Sequence, residues 1–593
     1  MSSLEQKPAD PTLRGLRESR WTPPQIAAMV WGLVLAIGVS RYFFAVGHGQ
    51  FFENHDGHGY GLRLIEFRDC LWSGFLLPQW CPHFRGGLGA PFFNYYQPGF
   101  FYVASLAPSA LPVAQQLGLA VVVFSSIGYF GMFSLLANRF GIGAGAVAGT
   151  FLLTAPYIYT ELYLRGDLSE YAAMMLVPGA LSGLVRFCEQ PSRGFGVLAA
   201  VMAAAVVLTH PAVALAMYAL LVLVLFAVTI STKTFVTAGR GLAVLAFGVG
   251  LSAVYWLPVF LESRYASVEK MWDGQIFDGF YHYSRHFISL SWLIDRSVTK
   301  TPIPVKLGLL HTLVTGVGLA VAARHWWQWE IAQRRVVGLC TLLLVASLFL
   351  MSPQSVWFWD HLPLLERVQF PWRLLVFVSL AMAGLAGLSV PGCRGRGQHC
   401  VAVCCLCGLL VWPAATRPSP KRTAHVEPRN ASEIADQFFA PDLADEWLPR
   451  GAQSYQISPR QRQPVSNPPA TISAYQIQQG LLSCELQTTG KSAIVLPHYF
   501  FPIGFSATLN GLPVAISRTQ LGLMRVEVPA GFTGTLRVAW STTRAKQAGL
   551  AMSLVAIFAG LFACVRLPRC RHELHTASDR SNGMETLVGN PLG

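Results

Sequence analysis

Between His48 and Gln97 four carboxylates (Glu53, Asp56, Glu66 and Asp69), three arginines and four histidines stand together in an otherwise apolar chain. Charged side chains are expensive next to lipid and are kept there mostly for function. Asp56 has His55 and His58 beside it and Gly57, Gly59 and Gly61 after it, so the backbone there can approach a ligand closely. An acidic residue in such a setting could act as general base toward a hydroxyl or amide acceptor, or could hold a divalent metal. Arg63 and Glu66 lie three residues apart and share a helix face. The alternative for Glu53 and Glu66 is a loop organised by ion pairs, with no chemistry.

Further ionisable groups occur at a few places only. Tyr163–Glu170 carries Arg165, Asp167 and Glu170 between two apolar runs. Asp167 and Glu170 have the spacing of a capping box at the start of the next helix. Arg165 has no such local reason and could bind phosphate. His210 stands in the Thr209-His210-Pro211 break of a long apolar run, either hydrogen-bonded within the turn or facing a cavity. Segment 262–303 adds Glu262, Arg264, His282, Arg285 and His286, while Trp272 and Tyr281–Tyr283 could stack on a sugar or sit at the headgroup belt. Arg367 and Arg373 precede another apolar run. Arginine suits a phosphate because its planar fork donates two parallel hydrogen bonds. Arg165, Arg264, Arg285, Arg367 and Arg373 are therefore the candidate phosphate ligands.

The elements that must position these residues are membrane helices. Of 593 residues 53% are hydrophobic and only 12% charged, against roughly 25% charged in soluble proteins. Apolar runs long enough to cross a bilayer occur near 26–47, 117–137, 142–160, 169–187, 195–209, 211–230, 241–261, 304–322, 336–351, 372–390, 399–415 and 547–565. Placing the N-terminus in the cytoplasm makes every inner connection basic, including Arg139, Arg193, Arg334, Arg335 and the tail from Arg566. This gives about twelve spans with both termini cytoplasmic, provided that Phe100–Pro112 is interfacial or re-entrant. The net charge of +14 lies largely in those connections, which argues against a nucleic-acid partner. The apolar run from residue 26 is too long, and begins too late, for a cleaved signal.

The expected organisation is a cytoplasmic tail (1–25), a membrane domain (26–415) with an external loop at 48–116, an external segment (416–546), a last span (547–565) and a cytoplasmic tail (566–593). Within 416–546, alternating runs such as Leu523–Val528 and Thr535–Ala539, with an Asn510-Gly511 turn signal, predict a small β-sandwich over 470–546. Twelve cysteines form no evident framework, although Cys70 and Cys81 could be bridged in an oxidising compartment.

Several of these residues also carry a family resemblance. Gly74-Phe-Leu-Leu-Pro-Gln-Trp80, Gly87-Leu-Gly-Ala-Pro-Phe-Phe-Asn-Tyr-Tyr-Gln-Pro98, Arg165-Gly-Asp-Leu-Ser-Glu170, His210 and Val368-Gln-Phe-Pro-Trp-Arg373 resemble the bacterial 6-pyruvoyl-tetrahydropterin synthase-related integral membrane proteins. That family is similar in layout to YfhO-like proteins and to the wider GT-C glycosyltransferases. The resemblance implies an inner-membrane enzyme moving a sugar from a polyprenyl-phosphate donor to an envelope glycan, lipid or protein on the outer face, with inversion. Asp56 matches the essential acid of the first external loop. Glu53, His58, Arg63, Glu66, Asp167, Glu170 and His210 would support it, and the arginines would hold the departing lipid phosphate. The loop has no D-x-D pattern, so metal dependence stays open. The rival readings are a lipid or glycolipid flippase and a non-catalytic scaffold for envelope polymer. Span centres almost free of charge weigh against an ion-coupled transporter.

Overall fold

The computed structural model describes residues 22–232, 235–271, 282–288, 305–390, 396–417, 419–424, 428, 430–434, 445–453 and 463–566. Trp272, Tyr281 and most of both tails lie outside the described residues.

Each of the twelve apolar runs contains a helix. We number the long helices α1 Pro23–Val39, α2 Gly57–Trp72, α3 Val113–Phe140, α4 Ile142–Thr154, α5 Pro156–Arg165, α6 Leu168–Glu189, α7 Arg193–Thr209, α8 Pro211–Thr232, α9 Phe235–Leu251, α10 Ala253–Glu262, α11 Leu309–His325, α12 Ile331–Leu350, α13 Leu375–Ala386, α14 Arg396–Ala415 and α15 Arg544–Arg566. Seven described helices are long and apolar enough to cross a membrane, and the bent pairs α4–α5 (41°) and α9–α10 (67°) raise the number to nine. Nine of the twelve runs thus meet the length expected of a span, as in a polytopic membrane protein, and the other three hold α1, α7 and α11 of 17 residues each.

Prolines set the breaks that matter for the site. The residue before a proline is driven out of helical geometry. Ala155 is accordingly extended (φ −53°, ψ 139°) before Pro156, and His210 (φ −159°, ψ 105°) before Pro211. Helix α6 is buried along most of its length and packs on α3 and α7. Small residues permit this packing: a Cβ at Gly131 of α3 would lie 2.7 Å from the Gly179 nitrogen of α6. Segment 100–112 holds no helix long enough to cross a membrane. It forms only the six-residue helix Gly99–Ala104 and turns before α3.

The strands are β1 Gln50–Phe52, β2 Arg422–Ala424, β3 Val465–Asn467, β4 Thr471–Gln478, β5 Leu481–Gln487, β6 Ser492–Tyr499, β7 Phe505–Leu509, β8 Leu512–Val514, β9 Ile516–Arg518, β10 Leu523–Val528 and β11 Thr533–Trp540. They form antiparallel sheets β3-β6-β10-β9 and β4-β5-β11-β7-β8, with a separate β1-β2 pair. One buried cluster draws on both larger sheets, with Ile494, Leu496, Met524 and Val526 from the first and Leu482, Leu486, Leu536 and Val538 from the second. Asn510 (φ 48°) and Gly511 (φ 86°) make the two-residue turn joining β7 to β8.

The strand region is seated on the first loop. Trp80 stacks on Trp540 with centroids 5.5 Å apart, and its Nε1–H donates to His498 Nε2 at 3.0 Å. His498 Nδ1 pairs with the Gly87 carbonyl (2.9 Å), and the Tyr499 amide donates to the Leu88 carbonyl (2.6 Å). Cys70 and Cys81 are free buried thiols, contrary to the bridge the sequence allowed. Cys70 instead packs with its sulfur 3.7 Å from the Trp80 carbonyl.

Candidate functional site

Asp56 is the last residue before α2, and its position is set by the turn between α5 and α6. The Asp56 amide donates to the Arg165 carbonyl at 2.8 Å, and Asn54 Oδ1 accepts from the Gly57 amide at 2.8 Å. Gly166 makes this approach possible. Its φ is +79°, and a Cβ there would fall 2.7 Å from both Asn54 Nδ2 and the Gly57 nitrogen. One turn into α2, the Tyr60 hydroxyl donates to Asp167 Oδ1 (2.7 Å) and accepts from the Ser169 amide (2.9 Å) and the Tyr96 hydroxyl (3.0 Å). Arg63 donates to the Tyr96 hydroxyl (3.3 Å), and its guanidinium lies over the Phe92 and Tyr96 rings at 5.1 and 4.9 Å.

Behind Asp56 lies a buried charge cluster. The last turn of α5 is a π-turn over Thr160–Arg165. Arg165 pairs with Glu161 (2.9 Å), Asp167 (3.0 Å) and Glu170 (2.7 Å), with its guanidinium 4.7 Å from the Trp372 ring centroid. Glu170 also accepts from Arg373 Nε (2.9 Å) and from the Tyr157 hydroxyl (3.1 Å). The capping bond foreseen for Asp167 is present, its Oδ1 accepting from the Glu170 amide at 3.0 Å. Arg373 is held in turn by Gln369 Oε1 (2.8 Å) and the Val368 carbonyl (3.0 Å). Gln369 is a buried non-glycine residue at φ +68°, the kind of strain that accumulates at functional sites.

His210 completes the cluster, with Nε2 3.6 Å from Glu170 Oε2 and 3.9 Å from Asp167 Oδ2. Its Nδ1 accepts from the Val213 amide (3.3 Å), which puts the proton of the neutral ring on Nε2, toward the carboxylates. Burial pushes His210 down to about 4 although Glu170 and Asp167 pull the other way. Burial opposes ionisation of Asp167, but Arg165 and then His210 hold its carboxyl well below the usual carboxylate range. Asp56 behaves differently. Its side chain reaches the cavity solvent but is surrounded by protein, and that desolvation, with the Asp167 charge, raises it above 3.8 despite Arg165 and Arg63.

A cavity of about 1160 Å³ opens over this arrangement and is lined by Asp56, Arg63, Arg165, Asp167, His210 and Arg373. Arg264 and Arg367 also line it, as do Trp447 and Arg450 of the segment 416–546. Eight of the proposed residues, from five separate stretches of sequence, thus meet in one place. The others are placed elsewhere. Glu170 lies buried beneath the cavity lining. Glu53 and Arg285 are exposed outside it. His58 belongs to α2, but its side chain lies outside the described residues. Glu66 turns away from Arg63. It is buried against His83 Nδ1 (2.9 Å), raises that imidazole against the opposing effect of burial, and accepts from Gln479 (3.3 Å). Arg63 and Glu66 were grouped by helix spacing, but they serve different surfaces of α2.

Asp167, Glu170 and His210 offer ligand atoms within 4.8 Å of one another, a donor set suited to a divalent cation. The same carboxylates already accept from Arg165 and Arg373 at 2.7–3.0 Å. A cation would have to displace the guanidiniums of Arg165 and Arg373, so the residues as arranged do not fit a metal. Sequence reading missed Glu161, Tyr60, Tyr96, Trp447 and Arg450. For Glu161 a signal existed, its spacing of four from Arg165. Trp447 and Arg450 had none.

The fold and site define a polytopic α-helical membrane protein with a C-terminal strand region and a cavity lined by charged side chains. No family model matches the chain, and no curated protein matches it. Among solved structures the chain is similar to the mycobacterial arabinofuranosyltransferase AftD (19% identity, 68% of this chain and 27% of that one, TM-score 0.39). It is similar also to the apo oligosaccharyltransferase of Archaeoglobus fulgidus (10% identity, 71% and 56%, TM-score 0.38). A third likeness is to ArnT of Cupriavidus metallidurans bound to undecaprenyl phosphate (17% identity, 70% and 69%, TM-score 0.35). The chain spans only about a quarter of the length of the first and about half that of the second.

Proposed function

We propose that this protein is a glycosyltransferase that moves a sugar from a polyprenyl-phosphate donor to an envelope acceptor, with inversion at the anomeric carbon. The observation that carries the reading is Asp56: a carboxylate open to a large cavity, facing arginines that could receive an anion, and raised from its ordinary value by desolvation. In the proposed step the acceptor hydroxyl attacks the anomeric carbon as the bond from that carbon to the phosphate oxygen breaks. The hydroxyl proton passes to Asp56, and the phosphate leaves with the bonding pair. A raised pKa makes Asp56 a stronger base than an exposed aspartate. Arg63, Arg264 and Arg367 suit the departing phosphate, because guanidinium binds it through paired hydrogen bonds. Arg165 and Arg373 are committed to the carboxylates and hold the floor of the site.

The rest of the reading follows the same family resemblance. The chain is a 6-pyruvoyl-tetrahydropterin synthase-related, GT-C-like protein of a bacterial inner membrane with twelve spans and both termini cytoplasmic. The catalytic loop 48–116 and the segment 416–546 with its β-sandwich lie outside. A deletion strain complemented with wild type or Asp56→Asn at equal expression tests the function through its envelope glycans and polyprenyl-phosphate-sugar pools. The reading expects glycan loss and donor accumulation with Asp56→Asn. Full restoration would remove Asp56 from the chemistry, and donor accumulating on the inner leaflet alone would mean a flippase.

A further inference from the structure

The external segment 416–546 sends a short strap, residues 445–453, into the cavity wall. Two backbone hydrogen bonds, which together make an antiparallel bridge, and one bond from a side chain hold it. The Ser267 amide donates to the Leu448 carbonyl (3.0 Å), and the Arg450 amide donates to the Tyr265 carbonyl (2.9 Å). Ala266 and Pro449 form an isolated antiparallel bridge, and Arg518 of β9 donates to the Arg450 carbonyl at 3.0 Å. The strap is therefore fixed both to the end of α10 and to the strand region. It delivers the Trp447 indole edge-to-face against Tyr96 (5.5 Å, 80°) and Phe92 (5.8 Å, 72°). Phe92 and Tyr96 stack on each other at 4.5 Å and carry Arg63 over their faces. Glu446, Trp447 and Arg450 all line the cavity that holds Asp56.

The geometry points to this wall as the acceptor subsite, and to a saccharide as the acceptor. The inference rests on the glycosyl-transfer reading and narrows its acceptor from three classes to one. A rigid indole half-buried in a cavity offers a flat apolar face, and the C–H face of a sugar ring matches it. Glu446 supplies an acceptor and Arg450 a donor for ring hydroxyls. A peptide acceptor would call for main-chain hydrogen-bonding partners, and a lipid acceptor for an apolar channel, but the strap provides a carboxylate and a guanidinium beside the ring. Its origin assigns it to the acceptor and not the donor. A polyprenyl donor keeps its tail in the bilayer and must approach along the membrane helices, where Leu215, Val259 and Phe260 line the same cavity. A glycan chain arrives from the aqueous side, past the external segment that carries Trp447.

The test uses the full chain in lipid nanodiscs. Binding of methyl glycosides of common hexoses and pentoses is followed by saturation-transfer NMR in wild type, Trp447→Ala, Trp447→Phe and Asp56→Asn. Transfer kinetics with a polyprenyl-phosphate sugar accompany the binding. Loss of one stacking ring corresponds to about a tenfold weakening. Trp447→Ala is expected to lose glycoside binding and raise the acceptor KM about tenfold with the donor KM unchanged. Trp447→Phe should restore most of both, and Asp56→Asn should lower transfer without abolishing glycoside binding. A raised donor KM with an unchanged acceptor KM in Trp447→Ala would overturn the assignment, as would wild type that binds no glycoside. Glycoside binding that depends on Trp447 in a protein showing no transfer would retain the saccharide subsite and refute the enzymatic reading alone.

Discussion

Removing Arg165 is the sharpest structural test of the buried cluster. Its guanidinium serves three carboxylates at 2.7–3.0 Å, but they would not lose equally. Glu170 keeps Arg373 at 2.9 Å and the Tyr157 hydroxyl, and Asp167 keeps the Tyr60 hydroxyl and the Glu170 amide. Glu161, fully buried, has no other cationic partner at ion-pair distance among the described residues. Arg165→Met removes the common partner of three buried carboxylates and should destabilise by about 3–5 kcal/mol, the range for losing one side of a buried pair. Neutralising the stranded group as well should recover much of this. The Arg165→Met/Glu161→Gln double variant should show a coupling energy of roughly 2–3 kcal/mol, within the range of directly contacting residues. Equilibrium unfolding in mixed micelles across an SDS titration measures all four members of the cycle. A loss of about 1 kcal/mol or less, the size of an exposed pair, or the absence of coupling would refute the claim that Arg165 neutralises a dry cluster.

Three further outcomes are expected. Gly166→Ala places a side chain at φ +79° and against Asn54 and Gly57; the backbone term alone is about 1–2 kcal/mol, and displacement of Asp56 should lower kcat further. Wild-type stability and kcat in that variant would contradict the close approach. The raised pKa of Asp56 makes two pH predictions. Its stabilising contribution is complete below the unfolded value of 3.8 and is lost as pH rises through the folded value, so Asp56→Asn should be more stable than wild type at neutral pH. The acid limb of kcat/KM should also fall above 3.8, which a pH–rate profile would show.

Local signals carried the framework of this protein. Lengths of apolar sequence marked a helix in each of the twelve runs, the Asn510-Gly511 pair marked its hairpin, and Pro211 marked the break at His210. The convergence of Asp56, Arg165, His210 and Arg373 was approachable because buried charge is scarce in an apolar chain and each instance calls for a partner. What could not be read were pairings between distant segments with no periodic trace. Glu66 pairs with His83, β1 pairs with β2 across 370 residues of chain, and the strap at 445–453 lies in a polar stretch of no pattern. Helix spacing placed Arg63 and Glu66 on one face, but packing on both sides of α2 sent them to different neighbours.

The central claim is that Asp56 is the base of a transfer from a polyprenyl phosphate. Its most direct test is single-turnover transfer by the purified protein in nanodiscs, using an undecaprenyl-phosphate sugar and NMR assignment of the product anomer, with wild type and Asp56→Asn compared at equal donor binding. The account predicts a product of inverted configuration in wild type and a fall of about 10²–10⁴ in rate for Asp56→Asn. Transfer at the wild-type rate by Asp56→Asn, or a product of retained configuration, would contradict it.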